Sequence, residues 1–534
     1  MSPTEHRHSQ RAVSRAWRSV AVVVVALASI GIPAAAQDAD DSQMALAARV
    51  DPYVERPRVL VLTDIANEPD DQMSLVRFLV YSNELEVEGL VATTSTWLKE
   101  KPRPDVIHEV IDAYEEVQPN LLLHADGFPT ADRLHGLVAT GQPSYGMAAV
   151  GPDKMSAGAE RLLAAAAEPD ERPLWVTIWG GANTLAQALL HARETMTTAE
   201  LDALVSKLRV YSISDQDDAG PWIRREFPRL HYVARPSTPN GEEYRSATWT
   251  GISGDSYYKN APGGDLSTFT DEWLDENIRS KGPLGEHYPY PCCIHEGDTP
   301  SFLGLINNGL ASYMSPTYGG WGGRYVWRQP YGESRPSWTQ GGDSFPIRPS
   351  SRDTVVGVDG RTYTSDQATI WRWRRAFQHD FAARMAWTVQ PPEEANHNPR
   401  LVLNGVAGRA PVSLAARVGE PLELDAKGSA DPDGNALTYR WLFYPEAGTG
   451  IPGRPVFTNP RALFGPRQPG PASGPPALIS RIDLKDAETP VATVIPRVPG
   501  VAHVILVVED DGSPSLTSYR RVLLEIQPAP PPPS

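Results

Sequence analysis

Four carboxylates, Asp64, Glu68, Asp70 and Asp71, fall within eight residues of this chain. Acids at that density repel one another unless something positive sits among them, and hard oxygen donors of this kind suit Ca²⁺ or Mg²⁺. A second reading is structural. Glu68, Asp70 and Asp71 precede a run with helical spacing (Met73, Val76, Leu79, Val80), where acids cap the helix and complement its dipole. Their place in the chain favours the metal site. Val59 to Leu62 is a short unbroken apolar run, as in a strand buried on both faces of a parallel sheet, so the acids stand at a strand's carboxyl end. Ligands bind at that edge of open α/β sheets.

The elements needed to hold such a site repeat along the chain. Val87 to Ala92 is a second apolar run, followed by the hydroxyl-rich Thr93-Thr94-Ser95-Thr96-Trp97. Leu174 to Trp179 runs into Gly180-Gly181-Ala182-Asn183-Thr184, whose glycines let the backbone turn sharply and approach a ligand. Leu208 to Ile213 ends in Ser214-Asp215-Gln216-Asp217-Asp218. Apolar spacing predicts helices over 106–117, 157–167, 185–191 and 198–206, and a short third strand over 121–124. Residues 126–153, rich in Gly, Pro and Ser, read as a long excursion. Strands alternating with helices argue a parallel α/β sheet with one active edge.

Farther on, His295-Glu296-Gly297-Asp298-Thr299-Pro300 again sets acids at a helix start, with the helix expected over 301–310. Asp298 or Thr299 suits its N-cap, and Pro300 its first position. A helix over 367–388 closes the domain. The span 215–345 is dense in aromatics, among them Trp222, Trp249, Tyr257, Tyr258, Trp273, Tyr288, Tyr290, Trp321, Tyr325, Trp327, Tyr331 and Trp338. Such rings can stack on the apolar faces of sugars or can pack long loops against the sheet.

Length and charge bound the rest. At 534 residues the chain exceeds one average domain, and its formal charge of −16 argues against nucleic acid, which calls for a basic footprint. Residues 1–36 read as a secretory signal: Arg11, Arg15 and Arg18 precede the apolar run from Val20 to Ile32, and Ala34-Ala35-Ala36 offers a cleavage site. The run is short for a spanning helix, so the expectation is a secreted or periplasmic protein free of the membrane after cleavage. The two cysteines are neighbours, Cys292 and Cys293, so no disulfide framework links distant segments. A vicinal disulfide and a pair of reduced thiols both stay open.

Past a linker at 391–400 the pattern changes to short alternating segments over 401–527, the signature of a small antiparallel sandwich. Leu424 to Gly434 resembles the Ig-like modules, of polycystic-kidney-disease and cadherin-like types, found on secreted bacterial enzymes. Asp431 and Asp433 there suit either a structural Ca²⁺ or an Asx turn.

Asp64 to Asp71 resembles the Asp-rich motif of the inosine–uridine nucleoside hydrolases, whose Asp-x-Asp-Pro-Gly-x-Asp-Asp loop holds Ca²⁺ and a catalytic water. Asp64 matches its first Asp, and Asp70 and Asp71 its closing pair, but the middle Asp, the family's presumed base, falls on Ala66. Residues 180–186 look like that family's loop offering a backbone carbonyl to the metal, around Asn183, and 295–298 like its late His-Asp ligand segment. Three stretches in order (Thr63 to Gln72, Thr93 to Trp97 and Glu296 to Leu303) are more closely similar to a secreted bacterial family described as cellulose-binding. That resemblance covers roughly residues 57–527 and implies a nucleoside-hydrolase-like α/β parallel-sheet domain over 57–390, followed by an all-β Ig-like sandwich.

In chemical terms the resemblance implies a carbohydrate-active protein whose partner is a polysaccharide or oligosaccharide. It also implies Ca²⁺ held by Asp64, Asp71, Asp298 and the Asn183 carbonyl. Glu68, two residues after the missing Asp, is the candidate base, and Glu296, with His295 behind it, the candidate acid. Asn67, Asp70, Trp97, Asp217 and Trp222 are the expected sugar contacts. The alternative is a binding protein that lost its base at Ala66 and kept its affinity for sugar. A true nucleoside hydrolase fits least, since Ala66 stands where its base belongs.

Overall fold

The computed structural model describes residues 43–236, 247–253, 263–330, 332–340, 351–450 and 480–530; the expected signal segment and Tyr257, Tyr258 and Tyr331 lie outside them. Strands β1 (Arg58–Thr63), β2 (Glu86–Ala92), β3 (Val138–Thr140), β4 (Leu174–Ile178), β5 (Leu208–Ser212), β6 (His231–Ala234), β7 (Val326–Arg328) and β8 (Ser337–Thr339) build one sheet. Its order is β3-β2-β1-β4-β5-β6-β8-β7, parallel throughout except for the antiparallel β7–β8 pair.

Helices cover both faces because β1 is apolar on both. Val59 and Val61 pack with Met73 and Val76 of α1 (Pro69–Val80) and Ile107 of α2 (Pro104–His124). Leu60 and Leu62 turn the other way, onto Leu162 of α3 (Ala157–Ala167) and Leu185 of α4 (Asn183–Thr195). Each fully buried side chain of this size contributes about 2 kcal/mol. Beyond α4 come α5 (Thr198–Lys207), α6 (Ala219–Glu226), the single turn α7 (Pro300–Leu303) and α8 (Arg374–Ala386).

Three local expectations change. Residues 121–124 are the last turn of α2, not a strand: Leu121 faces the core, whereas Leu122 and Leu123 are 42% and 60% exposed, a helical split. The third strand instead lies inside the Gly- and Pro-rich excursion, at β3. The helix expected over 301–310 stops after one turn at Gly304, although Thr299 caps it and Pro300 opens it as anticipated. The closing helix is likewise broken, into Ala368–Trp371 and α8.

The carboxyl-terminal strands form two sheets. Val412–Arg417 (β9), Thr517–Gln527 (β15), Gly500–Asp510 (β14) and Leu437–Phe443 (β11) lie in that order in one; Leu422–Asp425 (β10), Val491–Pro496 (β13) and Ile482–Lys485 (β12) make the other. Leu424, Trp441, Val494, Val504 and Leu524 fill the space between the sheets. Asp431 forms an Asx turn, accepting from the Asp433 and Asn435 N–H groups at 2.9 and 3.0 Å, and Asp433 accepts from the His397 N–H.

The sandwich shares its outer face with the α/β core. Tyr444, Ile505, Val507 and Tyr519 join the same apolar cluster as α1 and α8. Arg521, fully buried, donates to the carbonyls of Leu310 and Gly319 at 2.6 and 2.8 Å, so a β15 side chain is anchored in loops of the α/β part. The described residues from 43 onward accordingly form one compact unit. Among the described residues no helix is long and apolar enough to cross a membrane.

Candidate functional site

Neighbouring parallel strands deliver their carboxyl ends to one edge. Thr63 is paired with Ala92, Leu62 with Ile178, and Ile178 with Ser212. The ladder then runs one step past the strands: the Thr93, Trp179 and Ile213 N–H groups donate to the carbonyls of Thr63, Leu62 and Ile178 at 2.7, 2.8 and 3.0 Å. Four loops therefore leave side by side, carrying Asp64–Glu68, the Thr93–Trp97 hydroxyls, the Gly180-Gly181 turn and Asp217.

At this edge Asp70 and Asp71, from the first turn of α1, meet Asp298, which immediately precedes the Thr299 cap of α7. One carboxylate oxygen from each lies within 4.8 Å of the others, and all three residues are buried. The loops are shaped for the approach. A Cβ on Gly297 would stand 2.7 Å from Asp70 Oδ2, and one on Gly180 2.6 Å from Asp64 Oδ1. Thr63 Oγ1 donates to Asp71 Oδ1 and accepts the Ile65 N–H at 3.1 Å, fixing the end of the strand to the start of the helix.

Acids this close hold their protons. Burial, then the charges of Glu68 and Asp64, push Asp70 up to about 8. Burial, then Asp64 and Asp70, drive Asp71 well above the usual range, and burial followed by Asp71 and Asp70 does the same to Asp298. Asp64 is raised by burial and held back by a hydrogen bond from Ser95. No guanidinium or ammonium is among the leading causes of these shifts. Asp298 Oδ2 is buried and has no hydrogen-bond partner among the described residues. An unpartnered buried carboxylate oxygen facing two others is a donor set that a hard divalent cation fits.

Glu68 sits at the rim. It occupies the N-cap position of α1, yet its side chain makes no capping hydrogen bond. Half-buried, it is raised first by burial and then by the charge of Asp64, and it adds to the field on Asp70, Asp71 and Asp298. Ala66 beside it holds a left-handed φ of 82°, uncommon for a residue with a side chain. Asn67 is exposed and Trp97 is 52% exposed, on the loops flanking this rim.

Other expected site residues are placed differently. Glu296 is fully buried and turned away from the three aspartates: Arg77 Nε stands 2.6 Å from it, and the Tyr288 and Thr299 hydroxyls donate to it at 2.6 and 2.9 Å. Its oxygens are occupied, which removes it as an acid. His295 is buried edge-on against Phe269 at 5.5 Å. Asn183 opens α4, so its carbonyl enters the helical ladder and points along the axis rather than to the edge. Its amide instead donates to Thr94 Oγ1 and the Ser144 carbonyl at 3.1 and 2.9 Å.

Asp217 is a brace, not an exposed sugar contact. It is buried, accepts the Asn183 and Ala219 N–H groups at 3.0 Å each, and is pushed by burial up to about 7. Gly181 leaves it room, since a Cβ there would come within 2.5 Å of Asp217 Oδ2 and of the Thr94 carbonyl oxygen. Trp222 packs on Phe227 at 5.7 Å with the Arg193 guanidinium over its ring, in the cluster beneath α4 and α6. Of the twelve aromatics noted in the irregular span, Trp249, Tyr288, Trp321, Tyr325, Trp327 and Trp338 are core residues, while Tyr290 is 60% exposed.

Residues that sequence reasoning passes over complete the site. Thr63 and Ser95 hold Asp71 and Asp64, and both stand in the hydroxyl-rich strand ends already singled out. Tyr145, from the excursion, lies close enough to Asp217 and Asp218 for their charges to raise it. Arg77, the partner of Glu296, carries no signal: it is a basic residue in the last turn of a helix, as many are.

Comparison with known proteins bears on the fold and the family. Residues 58–325 match the family model for the cellulose-binding Sde182 nucleoside hydrolase-like domain, and 421–526 that for the Sde0182 carboxyl-terminal domain. A solved nucleoside hydrolase-related hypothetical protein from Saccharophagus degradans, described as associated with carbohydrate metabolism, is 34% identical with a TM-score of 0.70. The similarity covers 88% of this chain and 100% of that one. The effector XopQ, complexed with adenosine diphosphate ribose, is 13% identical over 67% of this chain and 100% of its own, with a TM-score of 0.29. The PKD domain of the KIAA 1837 protein is 20% identical over 23% of this chain and 87% of its own, with a TM-score of 0.14. Neither of the last two likenesses is high enough to bear on function. No curated protein matches the chain. With one family model spanning half the chain, a second over the sandwich, and a structural relative covering most of both, the chain belongs to the cellulose-binding Sde182 family, an α/β nucleoside hydrolase-like domain joined to a carboxyl-terminal sandwich.

Proposed function

We propose that this protein is a divalent-cation-dependent hydrolase of glycosidic or N-glycosidic bonds, acting outside the cytoplasm on polysaccharide or its fragments. The observation that carries the reading is Glu68. It stands at the rim over three converging aspartates, half-buried, with no hydrogen-bond partner among the described residues and a carboxyl raised by burial and by the charge of Asp64. A helix-cap acid would be spent on backbone N–H groups. This one is free to take a proton.

Glycosidic cleavage passes through an oxocarbenium-like state that needs a base or nucleophile on one side. Glu68 is that group, and a raised carboxyl is the better base near pH 7 because it holds the proton it takes. Asp70, Asp71 and Asp298 are the residues that would hold Ca²⁺, with Asp64, held by a hydrogen bond from Ser95, close enough for its charge to act on all three. When bound, the ion supplies positive charge that anchors sugar hydroxyls and acidifies adjacent water. Trp97 offers a ring face, and Asn67 an amide, to the sugar above.

A second reading, carbohydrate binding without turnover, has its own observation. Glu296 is locked to Arg77, Tyr288 and Thr299, which leaves the leaving group without the acid expected from the motif. The family descriptions, cellulose-binding in both cases, support the carbohydrate partner under either reading. Reducing-sugar release and pull-down on cellulose, xylan, arabinan and galactan, with Ca²⁺ and with chelator, separate them. Product that disappears in chelator and in Glu68→Gln and Asp71→Asn establishes the hydrolase. Retention on polysaccharide without product, unchanged in Glu68→Gln, refutes it and leaves a binding protein.

A further inference from the structure

Cys292 and Cys293 lie on the segment that leads into the Asp298 loop, and they are free thiols with Sγ atoms 2.8 Å apart. Cys292 is exposed and Cys293 half-buried, so reagents in solution can reach the pair. Ile294, next in sequence, is buried with the residues that follow it through Asp298, which fixes the exit of this turn. Both sulfurs are thereby held against one another rather than turned to opposite sides of the chain. Little more than the thiol hydrogens separates them from a bond of about 2.05 Å.

We propose that Cys292 and Cys293 form a reversible redox-modification site on the rim of the acidic pocket, closing to a vicinal disulfide when a small-molecule disulfide such as oxidised glutathione is supplied. The exchange balances. The Cys292 thiolate attacks one sulfur of the external disulfide and expels a glutathione thiolate; the Cys293 thiolate then attacks Cys292 Sγ and expels the second. Two protons leave the cysteines, two electrons pass to the external disulfide, and one S–S bond replaces another. Contact between the two sulfurs makes the second step intramolecular, so the mixed disulfide does not accumulate.

The neighbourhood shapes the kinetics. The Cys293 thiol is pushed up to about 12, first by its hydrogen bond with Cys292, then by burial, with the charges of Glu68 and Asp70 adding to it. Thiolate is scarce, and an anionic oxidant is repelled by Glu68 where that acid is ionised. Closure is accordingly slow at neutral pH and faster with an uncharged disulfide than with glutathione.

Intact-mass measurement of the full chain after incubation with oxidised glutathione tests this, independently of any catalysis or cation binding. The expected result is loss of two hydrogens, restored by dithiothreitol, with a peptide map placing the link between Cys292 and Cys293. Cys292→Ser is expected to show no such loss. A persisting glutathione adduct on the wild type, or two thiols that remain open to N-ethylmaleimide after prolonged oxidation with an uncharged disulfide, would overturn the proposal.

Discussion

Titrating the metal-free protein with Ca²⁺ at pH 7 should release protons, in a number the site geometry sets. Asp70, at about 8, keeps its proton about nine-tenths of the time at pH 7. Asp71 and Asp298 are also driven well above the usual carboxylate range, first by burial and then by the neighbouring aspartate charges. Three carboxylates whose oxygens lie within 4.8 Å cannot all be negative without a counter-charge, whereas a hard cation needs them ionised. About two to three protons should therefore leave per cation bound, shared over the cluster rather than owned by one residue. Holding Asp70 neutral at pH 7, when an unfolded chain ionises it near 3.8, costs about 4 kcal/mol, and cation binding relieves that cost. Calorimetric titration in two buffers of different protonation enthalpy reads the count directly. Asp298→Asn, which removes one titrating member and the unpartnered oxygen, lowers it by about one proton and weakens binding. Raising the pH to 9 lowers the count too, as Asp70 gives up its proton beforehand. Tight binding without proton release would refute the electrostatic reasoning, and no heat with Ca²⁺, Mg²⁺ or Mn²⁺ would remove the metal centre.

Other consequences arise from the same contacts. For stability, Asp70 has its folded value above its unfolded one, so its contribution is fully present below about pH 4 and lost as the pH rises through about 8. The urea midpoint of chelated protein should fall across that window, and Ca²⁺ should flatten or reverse the slope. Glu296→Gln leaves the Arg77 charge buried without its counter-charge and should cost about 3–5 kcal/mol in urea unfolding; because the pair ties the Asp298 loop to α1, it should also weaken cation binding. Gly181→Ala drives a methyl to within 2.5 Å of the Thr94 carbonyl oxygen and Asp217 Oδ2, so the loops after β2, β4 and β5 must separate. A loss of about 1–3 kcal/mol, with weakened cation binding, is expected by the same two titrations.

Most of the fold was legible because it depends on strand-scale apolar runs. Val59 to Leu62 reads correctly since both of its faces are covered, one by α1 and α2, the other by α3 and α4. The misreadings come where composition and geometry part. Leu121-Leu122-Leu123 has the apolar density of a strand, but only a helix can bury the first and expose the next two. The aromatic span left a sugar platform and loop packing both open, because sequence does not record which rings face in. Trp321 and Trp338 fill the core, and Trp321 and Trp373 pack edge-on to Tyr519 of the sandwich, a partner some two hundred and about one hundred and fifty residues away in sequence.

The hardest case is Glu296-Gly297-Asp298, where two acids one residue apart have opposite fates. Spacing alone suggests both serve the site. Glu296, however, adopts a left-handed φ of 54°, and its carboxylate lies against Arg77, Tyr288 and Thr299 in the protein interior. Asp298 instead meets Asp70 and Asp71. The residue between them must be glycine for this divergence, because any Cβ at 297 would press within 2.7 Å of Asp70 Oδ2. Arg77 and Asp71 belong to the same helix, so α1 presents an acid at its first turn to the acidic cluster and a base at its last turn to Glu296. A charge pair therefore ties the Asp298 loop to α1 beside the acidic cluster, and the ligands converge because a neighbouring acid was given up to hold them.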